Sequence, residues 1–390
     1  MSWTTTVHTV NHVINRQQGC AGDNSVKAAS YAINAVASKT TGEYDFVFVG
    51  PTCTTDIRTI GDFAEIWKSP VIGYEPVFEE RGVQELTSVI NVAQFSVGGV
   101  AETLVILMRE LNQTEISLVG SVKVMPNGLS LANDIKAYNK IMNSFYIREY
   151  IELDENNADW TKIDYKLRHG ARMIVICVDF YDIYSTLYNL AVRNLSGFRF
   201  IIVIILNKPP DEVLNQPNVR NLLYGANTFI ISPRQEQFSD AFSSMQRVVP
   251  TLSDQHMKKT IGTLQEQFTQ FLRIYQACYA YCVGSMYGVE TQTDNYHVAM
   301  SGKIVSTKYG AFTFDKSGSV LTDYVVYTVN PAEMTFDPVL TLKSTPKDCD
   351  TYNCFTLNMD EELSAAHIIF AVIVCGIAIT IGVIVLKKRQ

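Results

Sequence analysis

The first 20 residues, MSWTTTVHTVNHVINRQQGC, hold no apolar run, so they lack the h-region of a secretory signal. Either a later segment directs membrane insertion or a first segment precedes this start, and the second is the expectation. Reaction motifs are missing too. The chain contains no GxGxxG, GxxxxGK[ST], GxSxG or HExxH, which removes the usual signs of dinucleotide, P-loop, α/β-hydrolase and zincin chemistry. Gly284-Ser285-Met286-Tyr287-Gly288 has its serine one place too early for a nucleophile elbow and sits inside a helical pattern. His8 and His12 could share a helix face but have no third ligand nearby, so no metal site, cofactor or catalytic residue is expected. Nor is there a basic stripe: 39 acidic residues against 32 basic give a net charge of −7, which disfavours nucleic acid as a partner.

What is present begins near the end of the chain. Ala365–Leu386, AAHIIFAVIVCGIAITIGVIVL, contains no Asp, Glu, Lys or Arg and as a helix would span roughly 33 Å, enough to cross a bilayer. Asp360, Glu361 and Glu362 precede it and Lys387, Lys388 and Arg389 follow. The positive-inside rule then puts 387–390 in the cytoplasm and the preceding residues outside. The expected location is the plasma membrane as a single-pass type I protein. Lys387 and Lys388 also match a dilysine signal for retrieval to the endoplasmic reticulum, provided Gln390 is the terminus.

In an extracellular compartment Cys20, Cys53, Cys349 and Cys354, all in polar, turn-like surroundings, read as two disulfides. Cys177 lies in an apolar run and Cys375 in the span, where reduced, buried thiols are expected. Cys278 and Cys282 read as packed thiols or as links to a distant cysteine. Asn112-Gln113-Thr114 and Asn194-Leu195-Ser196 are glycosylation sequons.

From residue 25 onward helical periods alternate with short apolar runs. Helices are predicted over Ser25–Ser38, Thr55–Trp67, Gly98–Leu111, Gly128–Met142, Ala158–Arg168, Ile183–Arg193 and Glu212–Leu222. Strands are predicted over Tyr44–Gly50, Pro70–Gly73, Thr87–Ala93, Glu115–Gly120, Ser144–Ile151, Ala171–Val178, Phe198–Leu206 and Ala226–Ile231. Apolar strands separated by helices indicate parallel sheets covered on both faces. This is an α/β class of two doubly wound lobes, plus one C-terminal transmembrane helix. A long helix, Thr263–Val289, follows; then Tyr309–Val329 reads as a hairpin turning at Asp315–Gly318. Residues 336–364, marked by Pro338 and Pro346, read as a juxtamembrane stalk.

Three segments resemble the ligand-binding region of natriuretic-peptide-type receptors. Cys20, helix Ser25–Ser38 and strand Tyr44–Val49 run into Gly50-Pro51-Thr52-Cys53. Tyr275–Tyr287, YQACYAYCVGSMY, is similar to that family's aromatic helix, and Ser301-Gly302 through Gly310-Ala311-Phe312-Thr313-Phe314-Asp315-Lys316-Ser317-Gly318 is similar to its hairpin. Met300 and Thr52 depart from the usual residues. Covering about 18–335, the resemblance is strongest to the ectodomains of nematode receptor-type guanylate cyclases.

The resemblance implies a type I periplasmic-binding-protein fold over 1–335, with lobe 1 at about 1–114 and 232–300 and lobe 2 at about 115–231 and 301–335. It implies a Cys20–Cys53 disulfide, leaving Cys349–Cys354 as a second, or as a link between protomers. It also implies an extracellular peptide or small-molecule ligand, and a homodimer or a heterodimer with related receptors. On helices Thr55–Trp67 and Gly98–Leu111 the apolar residues Ile57, Ile60, Trp67, Val100 and Leu104 are expected either to supply a dimer surface or to face their own sheet as core. The family's kinase-like and cyclase domains are absent from these 390 residues. The functional expectation is therefore a receptor region that signals, or acts as a decoy or clearance receptor, and is not itself an enzyme. The alternatives are a fragment of a longer receptor cyclase, or an amino-acid-sensing ectodomain. Doubly wound sheets bind ligands at the carboxyl ends of their strands. The candidate residues are Thr52, Thr54, Tyr74 and Glu75 in the first lobe, and Ser121, Lys123, Asp179, Tyr181 and Asn207 in the second.

Overall fold

The computed structural model describes residues 47–49, 54–67, 69–73, 88–93, 95–121, 128–154, 158–178, 180–196, 199–207, 210, 214, 217–223, 227–234, 276–277, 279–281, 283–284, 299–307, 310–314, 318–330, 335–344 and 355–357. A small parallel sheet comprises β1 (Phe48–Val49), β2 (Val71–Gly73) and β3 (Val89–Asn91). A larger sheet contains β4 (Glu115–Ser121), β5 (Tyr146–Leu153), β6 (Met173–Cys177), β7 (Ile201–Ile205) and β8 (Asn227–Pro233), all parallel. After the hairpin of β9 (Ile304–Thr307) and β10 (Gly310–Thr313), the chain adds β11 (Tyr324–Asn330), β12 (Thr335–Ser344) and β13 (Phe355–Leu357) antiparallel to the larger sheet. Its eight strands run β13-β12-β11-β8-β7-β6-β4-β5.

The central strands, MIVIC and IIVII, are buried at every position, because side chains alternate between two covered faces. Helix α1 (Thr54–Trp67) belongs to the small sheet, whereas α2 (Val97–Glu110) and α3 (Gly128–Met142) cover one face of the large one. Val100, Leu104, Leu107, Leu131 and Ile135 of these two helices pack with Leu118, Val175 and Val203. The opposite face is covered by α4 (Trp160–His169), α5 (Phe180–Val192) and α6 (Pro217–Leu223), whose Ile163, Leu167, Ile183, Leu187 and Val219 meet Ile174, Ile176, Ile202 and Ile204. The small sheet is likewise covered twice. Ile57, Ile60 and Ala64 of α1 meet Val71 and Val89, while Ala277, Ala280, Met300, Val305, Phe312 and Phe314 meet Ile72 and Ile90.

Several expectations are corrected. The hairpin expected about Asp315–Gly318 is present among the described residues only as one antiparallel bridge, Phe314 with Val320, and a bond from the Leu321 N–H to the Thr313 carbonyl at 2.8 Å, while the extended pair is β9–β10. The following strand, β11, leaves for the large sheet, because Tyr324 and Val326 fit one of its cores while Tyr327 and Val329 pack against the other. Residues 335–344 are a strand of that sheet rather than a stalk. Pro338 sits there beside a register irregularity, opposite Tyr327, where a missing N–H is tolerated. Helix α2, expected with the first lobe, packs on the large sheet, whereas Val305, Phe312 and Phe314, expected with the second, pack with the small one. Ile57, Ile60, Val100 and Leu104 are buried against their own sheets, so they offer no dimer surface; the Trp67 side chain lies outside the described residues, and among those described on α1 the exposed apolar residues are Phe63 and Ile66.

The run 365–386, helix Ser25–Ser38, His8, His12, Cys20, Cys53, Cys278, Cys282, Cys349, Cys354 and Cys375 lie outside the described residues. Among those described, no helix is long and apolar enough to cross a membrane.

Candidate functional site

In the large sheet β5 lies on one side of β4, and β6, β7 and β8 follow on the other. The connections therefore diverge to opposite faces between β4 and β6, and the carboxyl edge at such a reversal is where doubly wound sheets leave a crevice. Gly120 of β4 pairs with Cys177 of β6, and Ile176 with Ile204 of β7. Continuing that register carries Ser121, the start of α5 with Tyr181, and Asn207 to one edge of three neighbouring strands.

The floor of this edge is tightly built. A Cβ at Gly128, the first residue of α3, would collide with the Cys177 carbonyl oxygen and lie 3.0 Å from the Ser121 nitrogen. A Cβ at Gly120 would come within 2.9 Å of the Ala132 Cβ. Glycine at both positions lets α3 start directly against the strand ends. Ser121 is accordingly only 2% exposed and belongs to the floor, while Asn207 is half-buried at the rim. Thr54 opens α1 beyond β1 and so lies at the small sheet rather than this edge. Thr52, Tyr74, Glu75, Lys123 and Asp179 lie outside the described residues.

A second set of residues joins the two sheets. Asn91 at the end of β3 donates its N–H to the Gly318 carbonyl at 2.8 Å and accepts from the Val320 N–H at 3.1 Å. Its buried side-chain Oδ1 accepts from the Ala93 N–H at 2.9 Å. Ser96 caps α2, its Oγ accepting from the Gly99 N–H at 3.1 Å. The Arg234 N–H, just after β8, donates to the Asp323 carbonyl at 2.8 Å. Three segments leaving the two sheets, 91–96, 232–234 and 318–324, are thus stitched together. The Ser96 cap before an apolar helical run is legible in sequence, whereas nothing local marks Asn91 or Tyr324.

Three buried or half-buried groups of the large sheet hold their protons more tightly than usual. Burial pushes the Cys177 thiol and the Tyr324 hydroxyl well above their ordinary values, with Ser96 partly offsetting the effect at Tyr324. Burial, then Glu152 and Cys177, push Tyr150 up to about 12. Among the described residues no three His, Cys, Asp or Glu side chains stand together as metal ligands. Among the described residues this edge presents Asn207 at its rim and, directly after β5, the partly buried Asp154.

No protein-family profile matches the chain. Receptor-type guanylate cyclase gcy-10 of Caenorhabditis elegans is 76% identical over 349 residues, which cover 90% of this chain and 32% of that protein. The chain thus spans about a third of the length of the curated relative it matches. Among solved structures, a solute-binding protein of an ABC transporter from Rhodopseudomonas palustris HaA2, in complex with p-hydroxybenzoic acid, superimposes with a TM-score of 0.56. The match covers 83% of this chain and 84% of that one at 11% identity, a likeness of fold alone. By sequence the chain is therefore similar to part of a receptor-type guanylate cyclase, and its mixed α/β fold resembles that of a periplasmic-type solute-binding protein.

Proposed function

We propose that this chain is the extracellular ligand-binding region of a single-pass membrane receptor of the receptor guanylate cyclase kind. The observation that carries this reading is the reversal point between β4 and β6, where Ser121, Tyr181 and Asn207 follow successive strands of a fold shared with a solute-binding protein. High identity to a receptor cyclase supports the receptor context. The same reading includes a membrane helix at 365–386, disulfides Cys20–Cys53 and Cys349–Cys354, glycans at the exposed Asn112 and Asn194, and pairing with a second receptor chain. Sequencing the transcript across the codon for Gln390 separates two forms of it. A continuing reading frame makes the chain one region of a cyclase receptor; a stop leaves a decoy or clearance receptor.

Binding is tested with the full chain expressed behind a cleavable secretion signal. Its melting temperature is measured against a panel of the twenty amino acids, aromatic carboxylic acids and short amidated peptides. A ligand at about 100 times its dissociation constant adds about 2.7 kcal/mol, an upward shift of several degrees. The expected result is a compound that raises the melting temperature of the wild type and fails on Asn207→Ala. Equal shifts in both proteins place binding elsewhere and contradict the reading.

A further inference from the structure

The outer face of α5 carries an apolar stripe that the fold does not use. Tyr184, Tyr188 and Val192 are 42, 50 and 60% exposed and recur every fourth residue, so they line one face of the helix. The Tyr184 and Tyr188 rings stack with centroids 6.2 Å apart. Two residues beyond Val192 stands Asn194, the first residue of a sequon.

The backbone there is firmly held. Asn194 adopts the left-handed conformation, at φ 55°, which closes the helix with paired bonds from the Asn194 N–H to the Ala191 carbonyl at 3.0 Å and from the Leu195 N–H to the Leu190 carbonyl at 2.8 Å. Leu195 is fully buried. Arg168 donates to the Arg193 carbonyl, and the Arg193 guanidinium lies 5.4 Å from the centre of the Trp160 ring. Asn194 itself is exposed, so a group attached to it starts from a fixed point beside the stripe.

The other sequon supplies a built-in comparison. Asn112 ends α2 with the same cap, at φ 50°, and Gln113 donates to the Met108 carbonyl at 2.8 Å. The helix preceding it ends in exposed Arg109 and Glu110, not in exposed apolar residues.

We propose that Asn194 carries an N-linked glycan whose first sugars lie back over Val192 and Tyr188 and shield the stripe, whereas a glycan on Asn112 has no such bed. From Asn194 to Tyr188 is about 9 Å along the helix, within reach of a short saccharide. The apolar face of a sugar ring can cover an aromatic ring while its hydroxyls stay in water. Glycans are bulky and solubilising, and an uncovered apolar stripe otherwise invites association. The proposal rests on the extracellular reading above.

The test uses the full chain secreted from a glycosylating eukaryotic host. Ser196→Ala and Thr114→Ala each abolish one sequon and leave its asparagine cap intact. Glycopeptide mass spectrometry reads occupancy, an apolar-surface dye reads exposure, and sedimentation reads association. The expected result is that both asparagines are occupied, that Ser196→Ala raises dye binding at least twofold and Thr114→Ala does not, and that adding Tyr188→Ser and Val192→Ser to Ser196→Ala returns dye binding to the wild-type level. Occupied Asn112 with unoccupied Asn194 overturns the proposal while leaving the extracellular reading standing; neither site occupied counts against both. Unchanged dye binding in Ser196→Ala, or a wild type already dimeric through the stripe, also overturns it.

Discussion

The hydroxyl of Tyr324 accepts from the Ser96 N–H at 2.6 Å and donates to the Ser96 carbonyl at 2.9 Å, tying the first residue of β11 to the cap of α2. Tyr324 is fully buried and its ring meets Phe95 edge-on at 6.2 Å. Tyr324→Phe keeps the ring and strands both Ser96 groups, which should cost about 1–3 kcal/mol. Urea unfolding measures the loss, and hydrogen exchange should quicken at 92–97 before it does in β6 and β7.

The same tyrosine gives stability a pH dependence. Its folded-state pKa lies above the ordinary value of 10.0, so the native state holds the proton more tightly than the unfolded chain. That contribution is complete below about pH 10 and is lost as pH rises toward the folded-state value. Cys177 and Tyr150 are shifted in the same direction, so stability should decline from about pH 9 upward. In Tyr324→Phe the decline should be shallower but still present. Melting temperatures across the neutral to alkaline range provide the comparison.

Two glycines should respond oppositely to alanine. At Gly128 the new methyl meets the backbone oxygen of Cys177, a member of a central strand that cannot step aside, so Gly128→Ala should cost about 1–3 kcal/mol. At Gly98 the nearest atom to such a methyl is the Tyr138 Cε2, 3.7 Å away. That is ordinary contact in a helix, and Gly98→Ala should stabilise by up to about 1 kcal/mol. Urea midpoints read both.

Core and surface separate in the same way. Leu104 is wholly buried between α2 and the large sheet, and Leu104→Ala should cost about 2–5 kcal/mol. Ile66 on α1 is 76% exposed, and Ile66→Ser should stay within about 0.5 kcal/mol. Urea unfolding of both variants provides the measurement.

Those two residues also show how much is legible in the sequence. The period of α2 reveals that Leu104 belongs to an apolar face, but not whether that face meets a sheet or a second chain, so dimer surface and core stay equally open until the packing is seen. Strands β6 and β7 are readable because both faces are buried and their runs are unbroken. Helix α3 is readable because its apolar period over Gly128–Met142 is intact. Strand β12 is not, since Pro338 imitates a linker until the register irregularity opposite it is seen. Turn residues at Asp315–Gly318 mark a reversal but not its partners; the two-sided burial of β11 decides those. Of the ligand candidates, the edge shared by Ser121, Tyr181 and Asn207 follows from strand order, whereas the depth of Ser121 depends on how closely Gly128 approaches.

Hydrogen exchange tests the central claim most directly. The full chain is compared with and without whichever compound of the panel raises its melting temperature. Protection should appear at the carboxyl edge, over 119–121, 176–183 and 204–207. Protection confined to the opposite edge, over 112–116, 143–147, 170–173 and 194–201, with the carboxyl edge unchanged, would contradict the assignment of that edge as the ligand site.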